Sequence, residues 1–117
     1  MKPTLQINIR VEKDKEKATL EIIPSNSREP ICSCQLSDRK EAEELVCKMR
    51  KHNQSNNYSF LRTEKNEHYF ELREKQIKVI LRSRNYSSWR NVKNGRDFFM
   101  RTLPDADTTI HTIEKVK

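Results

Sequence analysis

Apolar and polar residues alternate from Leu5 to Val11, with Leu5, Ile7, Ile9 and Val11 in one series and Gln6, Asn8 and Arg10 in the other. A period of two belongs to a β-strand with one dry and one wet face, so this stretch predicts a half-buried strand. The charged run EKDKEK, Glu12 to Lys17, interrupts the pattern, and alternation resumes with Ala18, Leu20 and Ile22. A loop between two antiparallel strands is the simplest reading of the interruption, although its residues would also tolerate a helix. Pro24 closes the second strand. The segment PSNSREP then sets two prolines around Ser and Asn and predicts a turn, followed by a short third strand in ICSCQL.

At this point the period changes. Ala42, Leu45, Val46 and Met49 recur at i, i+3, i+4 and i+7, one apolar stripe of a helix, while Arg39, Lys40, Glu43, Glu44 and Lys48 take the remaining faces. Ser37 or Asp38 can cap this helix; Asp38 with Glu41 forms a capping-box-like pair, and HNQSNN after Lys51 ends it. The second half repeats the order. YSFLRT, HYFELRE and IKVILRSR predict strands separated by turns at EKN and EKQ, and a helix follows from about Ser87. Setting Ser33 against Ser83 places Leu36 on Tyr86, Ser37 on Ser87, Ala42 on Val92, Leu45 on Gly95 and Met49 on Phe99, a constant offset of 50 residues. That offset predicts a duplication; chance likeness between two ββα-type units is the alternative. The β-branched segment TTIHTIEKV predicts a last strand with no counterpart in the first half. Its place is an open sheet edge of its own chain or of a neighbour, with fraying as the plain alternative.

Tyr86-Ser87-Ser88, then Asn94-Gly95 with Phe98 and Phe99 on the apolar face, then Pro104-Asp105-Ala106, resembles the repeat of the YegP-like family, small bacterial proteins of uncharacterised function. The resemblance is clear over Tyr58 to Asp107 and weaker over Leu5 to Asn57. It implies an α+β fold of two tandem β-β-β-α repeats forming an antiparallel sheet with two helices packed on one face. In a single domain of residues 1–117, repeat one then spans about 4–56, repeat two about 57–107, and a C-terminal strand or tail 108–117. The chain departs from the family pattern at Glu74-Lys75-Gln76, where an Asn-Gly turn is usual, and at Arg96, where an apolar residue is usual. Gly95 is the only glycine. A glycine inside a helix costs about 1 kcal/mol relative to alanine, so it predicts backbone contact with the sheet, where a side chain would prevent close packing. The other reading, room for a phosphate, lacks the rest of any phosphate-cradling motif.

Charge narrows the search for function. The chain carries 24 Lys and Arg against 17 Asp and Glu. Eight basic residues fall between Lys75 and Arg101 against Asp97 alone, so this segment matches the whole surplus of +7. Lys78, Arg82 and Arg84 share one strand parity with Ile80, while Ile77, Val79 and Leu81 share the other. Burying the more apolar side would turn a basic row toward solvent. Arg90, Lys93 and Arg101 would continue that row from the helix, unless helices on one face divide it in two. Cations beside Tyr86 and Trp89 are the ingredients that hold single-stranded nucleic acid, where cations follow phosphate and aromatic rings stack on bases. The candidate nucleic-acid-binding residues are therefore Lys78, Arg82, Arg84, Tyr86, Trp89, Arg90 and Lys93. Buried aromatics at the start of a helix and an ordinary solvated charged face are the structural alternative.

Other chemistry is sparse. Cys32, Cys34 and Cys47 are odd in number and lack disulfide-scaffold spacing, MKPTLQINIR lacks the long apolar run of a signal peptide, and a reducing cytoplasm is expected. No window approaches the roughly 18 apolar residues of a membrane span. A Cys₃His site from these thiols and His52 would want paired ligand spacing that one C-x-C does not supply. His68 and His111 have no nearby arrangement that would make either a catalytic base. With no paired acids, Gly-rich loop or nucleophile motif, the expectation is a non-catalytic binding module without metal or cofactor, contacting an anionic partner through residues 75–101. The rival is a protein-interaction or homodimerisation module using exposed sheet edges, motivated by the spare strand.

Overall fold

The computed structural model describes residues 3–13 and 17–113. Residues 14–16 of the expected first loop and 114–117 of the expected last strand lie outside the described residues. In chain order the elements are β1 (Leu5–Glu12), β2 (Lys17–Pro24), β3 (Cys32–Leu36), α1 (Arg39–Lys51), β4 (Tyr58–Arg62), β5 (His68–Glu74), β6 (Lys78–Arg82), α2 (Trp89–Thr102) and β7 (Asp107–Ile113), with short 3₁₀ turns before β4 and after α2. The order β-β-β-α therefore occurs twice. The period-two pattern acts as its physics requires: Leu5, Ile7 and Ile9 are buried, and so are Ala18, Leu20 and Ile22, with Ile7 opposite Ile22 and Ile9 opposite Leu20.

The strands form two sheets where one antiparallel sheet was expected. One has four strands in the order β3-β2-β1-β7, the other three in the order β4-β5-β6. The first is mixed, because β7 runs parallel to β1 from Gln6↔Asp107 to Glu12↔Ile113. After α2 the chain crosses to the first half and takes β1's open edge, so β7 satisfies its backbone groups within its own chain. Arg50 of α1 helps to seat this crossing by donating from Nη2 to the Ala106 carbonyl at 2.7 Å. The sheets meet where β3 and β6 end their respective edges, and there the Arg84 amide donates to the Ile31 carbonyl at 2.6 Å.

Both helices start at the capping positions that the offset implies. Asp38 accepts the Glu41 amide at 2.8 Å, and Ser88 accepts the Asn91 amide at 3.1 Å. The Glu41 carboxylate reaches back to Ser37, one residue short of a capping box on Asp38, by bonds from both the Ser37 amide and hydroxyl. Ala42, Val46 and Met49 of α1 are buried, as are Val92 and Phe99 of α2, while Leu45 is partly buried. The core runs through both halves. α1 packs on β1, β2 and β3 and also on β6, whereas α2 lies on β5. Phe70 of β5 sits at the centre of an aromatic cluster with Tyr58, Tyr86 and Phe99, at centroid distances of 6.0, 6.4 and 5.8 Å.

Candidate functional site

The basic residues do not form one row, and a bulge explains why. Along β5 and β6, Leu72 pairs with Leu81 and Arg73 with Val79, which leaves Ile80 as an extra residue. An extra residue reverses the parity of everything on one side of it. Arg82 therefore shares a face with its partner Glu71, whereas Lys78 shares the opposite face with Glu74. Lys78 points along the α1 side, and Arg82 lies on the other side with its guanidinium 3.9 Å from the Tyr69 ring centroid. The common parity expected of Lys78, Arg82 and Arg84 does not survive the bulge. Neither does the buried side read for Ile77, Val79 and Leu81: Leu81 is buried, but Val79 is 44% exposed and Ile77 84%.

Arg84 and Tyr86 are drawn into the structure. Arg84 pairs with Glu29 at 3.3 Å and lies 4.3 Å over the Tyr86 ring. Tyr86 is buried and stacks on Phe70, so its ring is not a platform for a base. Burial raises the pKa of its phenol above the usual value, outweighing the Arg84 charge that lowers it. Gly95 is explained here as a packing residue. A Cβ at position 95 would stand 2.5 Å from the Tyr86 hydroxyl oxygen and 2.7 Å from Cζ, so the glycine lets the helix backbone close on the side chain of Tyr86, which is bridged to His68 of β5.

Trp89, Arg90 and Lys93 stay together on the outside of α2. Trp89 is 53% exposed, and Phe60 holds it in an edge-on contact with centroids 4.8 Å apart. His68 stands 6.4 Å from it. Arg90 and Lys93 are exposed and take part in no ion pair among the described residues. Phe60 pairs with Phe70, the neighbour of Tyr69, so Trp89 and Arg82 occupy opposite faces of the sheet. Sequence reasoning missed Phe60 and Arg96. Arg96 lies 5.2 Å from the Phe60 centroid, pairs with Asp97 at 2.8 Å, and leaves its Nε buried without a partner among the described residues. The i, i+4, i+7 spacing of Trp89, Lys93 and Arg96 was a signal available for Arg96; nothing in sequence joins Phe60 to a residue 29 positions on.

The cysteines are free, with Cys32 buried, Cys34 half-buried and Cys47 exposed on α1. Cys32 and Cys34 interact through their thiols, which raises the pKa of Cys32 and lowers that of Cys34. No group of three or more His, Cys, Asp or Glu among the described residues could hold a metal ion. His52 instead lies 3.6 Å from Glu74. No helix of the described residues is long and apolar enough to cross a membrane.

Two solved structures share this architecture. YegP from E. coli, a protein of unknown function, superposes with a TM-score of 0.75 at 16% identity over 97% of each chain. The UPF0339 protein SO3888 from Shewanella oneidensis gives 0.72 at 16% identity, over 97% of this chain and 93% of the other. The match spans the weakly resembling first half as well as the second, and at this identity it shows a common fold. No family model and no curated protein matches the chain.

Proposed function

We propose that this chain, which has the fold of YegP, is a non-catalytic binding module that takes a single-stranded nucleic acid on the outer flank of α2. One observation carries the reading: a half-exposed Trp89, fixed edge-on by Phe60, stands beside two cations, Arg90 and Lys93, that form no ion pair among the described residues. A tryptophan left half in water forgoes burial worth about 1 kcal/mol, and an exposed indole held beside cations suits a stacked base with its phosphates alongside. Arg82 and Arg84 have no part in this surface, one facing the far side of the sheet and the other paired with Glu29.

Trp89 is the only tryptophan, so its emission reports on the site directly. Titration with a short single strand at low salt is expected to quench it. The apparent affinity should fall as salt rises, by about 0.7 log units per tenfold salt for each phosphate neutralised. R90A/K93A should weaken binding about tenfold or more, and R82A should leave it unchanged. A titration without quenching at low salt, or one that R82A weakens as much as R90A/K93A does, would refute the assignment.

A further inference from the structure

α2 has a second exposed flank. Asn91, Asn94 and Phe98, spaced i, i+3, i+7, line a cleft of about 640 Å³ whose other wall is the turn between β2 and β3 with Asn26 and Glu29. The first half contains a counterpart. Cys34, Leu36, Glu41, Glu44, Leu45 and Lys48 line a cleft of about 360 Å³ along α1. Fifty positions on from these six stand Arg84, Tyr86, Asn91, Asn94, Gly95 and Phe98, all of which line the larger cleft. Each cleft is also walled by the other half: residues at the β5–β6 hairpin, Glu74 and Lys78, face the α1 cleft, as Asn26 and Glu29 face the α2 cleft. One construction is thus present twice, with different contents. Leu45 supplies bulk where Gly95 has none, and the charged Glu41, Glu44 and Lys48 correspond to the neutral Asn91, Asn94 and Phe98.

The chemistry of the larger cleft is unlike that of the chain around it. Among the described residues that line it, Arg84 is the only cation and is paired with Glu29, while Glu67 adds a second carboxylate. In a protein with a net charge of +7, the described lining of this recess carries two carboxylates against one cation. The side-chain amides of Asn26, Asn85 and Asn94 make no hydrogen bond among the described residues, and each presents two donors beside an acceptor. Pro24, Ile31 and Phe98 supply apolar surface between them. A recess of this size, in which apolar surface lies among several hydrogen-bonding groups, suits a small molecule that is itself part polar.

We infer that the cleft between α2 and the β2–β3 turn binds a small neutral molecule bearing hydroxyl and amide groups, of the chemistry of an N-acetylated sugar. Asn26, Asn85 and Asn94 pair with its hydroxyl and acetamido groups, and Phe98 and Pro24 cover its C–H faces. The site is separate from the Trp89 flank and does not depend on it.

The test is a two-dimensional NMR titration of the uniformly ¹⁵N-labelled full chain, following side-chain amides. The probe is N,N′-diacetylchitobiose, with inorganic phosphate in a parallel arm. The sugar is expected to shift the Asn26, Asn85 and Asn94 side-chain resonances saturably, with a dissociation constant of about 1 mM, the range open to a weak ligand of this size. N85A/N94A, two exposed positions, should weaken that binding at least tenfold, and R90A/K93A should leave it intact. The spectra themselves report whether each variant is folded. Absence of saturable shifts, shifts centred elsewhere on the protein, or equal shifts with phosphate would overturn the inference.

Discussion

Gly95 and Tyr86 form one unit of packing. Alanine in place of Gly95 would raise helix propensity by about 1 kcal/mol. Its Cβ would overlap the Tyr86 hydroxyl and Cζ at 2.5 and 2.7 Å, however, and overpacking of this kind costs about 1–3 kcal/mol. G95A is expected to be net destabilised in urea denaturation, by up to about 2 kcal/mol. Y86F should relieve part of the loss, since it removes the hydroxyl but retains the ring carbon. Strict additivity of the two substitutions would mean that the groups do not touch. That glycine had a packing role was legible in the sequence, because its cost demanded a reason. The identity of the partner was not, since Tyr86 reaches the helix only once it has stacked on Phe70.

The β5–β6 hairpin shows how an element can carry strain. Lys75 and Gln76 both adopt positive φ, 50° and 64°, in a turn closed by the Ile77 amide on the Glu74 carbonyl at 3.0 Å. Such backbone costs about 1 kcal/mol or more per residue for side chains other than Gly and Asn. K75N/Q76G restores the turn residues suited to this geometry and is expected to stabilise the protein by about 1 kcal/mol, read as a higher urea midpoint at unchanged slope. The exposed bond from Gln76 to the Asn56 carbonyl is lost in that variant and offsets only part of the gain. An unchanged or lower midpoint would show that the turn is not strained. The same hairpin defeated the parity argument for the basic row. Alternation is a rule for an unbroken ladder, and the bulge at Ile80 depends on how β6 meets β5, which no pattern within β6 encodes.

At the scale of the whole molecule, β7 binds the two halves by leaving the one it follows and pairing with β1. The spare strand motivated a reading of self-association through exposed sheet edges; of the two edges open to it, its own chain's or a neighbour's, it takes its own, which reverses the expected result of removing it. A chain truncated after Ala106 would expose the length of β1 and uncover the partly buried Ile110 contact. It should lose about 2 kcal/mol or more of stability and associate more than the full chain does, as light scattering at matched concentrations would reveal. A truncated chain that stays monomeric and equally stable would contradict the β1–β7 pairing. Among the described residues, β3 and β7 end one sheet and β4 and β6 the other; β3 and β6 line one cleft together, which leaves β7 and β4 as the edges open to a protein contact made through backbone pairing.

Local patterning was enough for the order of elements, for the two residues between which the first helix cap lies, and for the apolar stripes of the helices and of β1 and β2, because these rest on periodicity within a few residues. Ala42 and Met49, with Val92 and Phe99 fifty residues later, were legible for that reason. Tertiary structure alone decided the split into two sheets, the parallel seat of β7, the reversal at Ile80 and the grouping of Trp89 with Phe60. Each depends on which strand edge or ring arrives beside another across dozens of residues, a choice made by the total burial of the folded chain and not by any window of it.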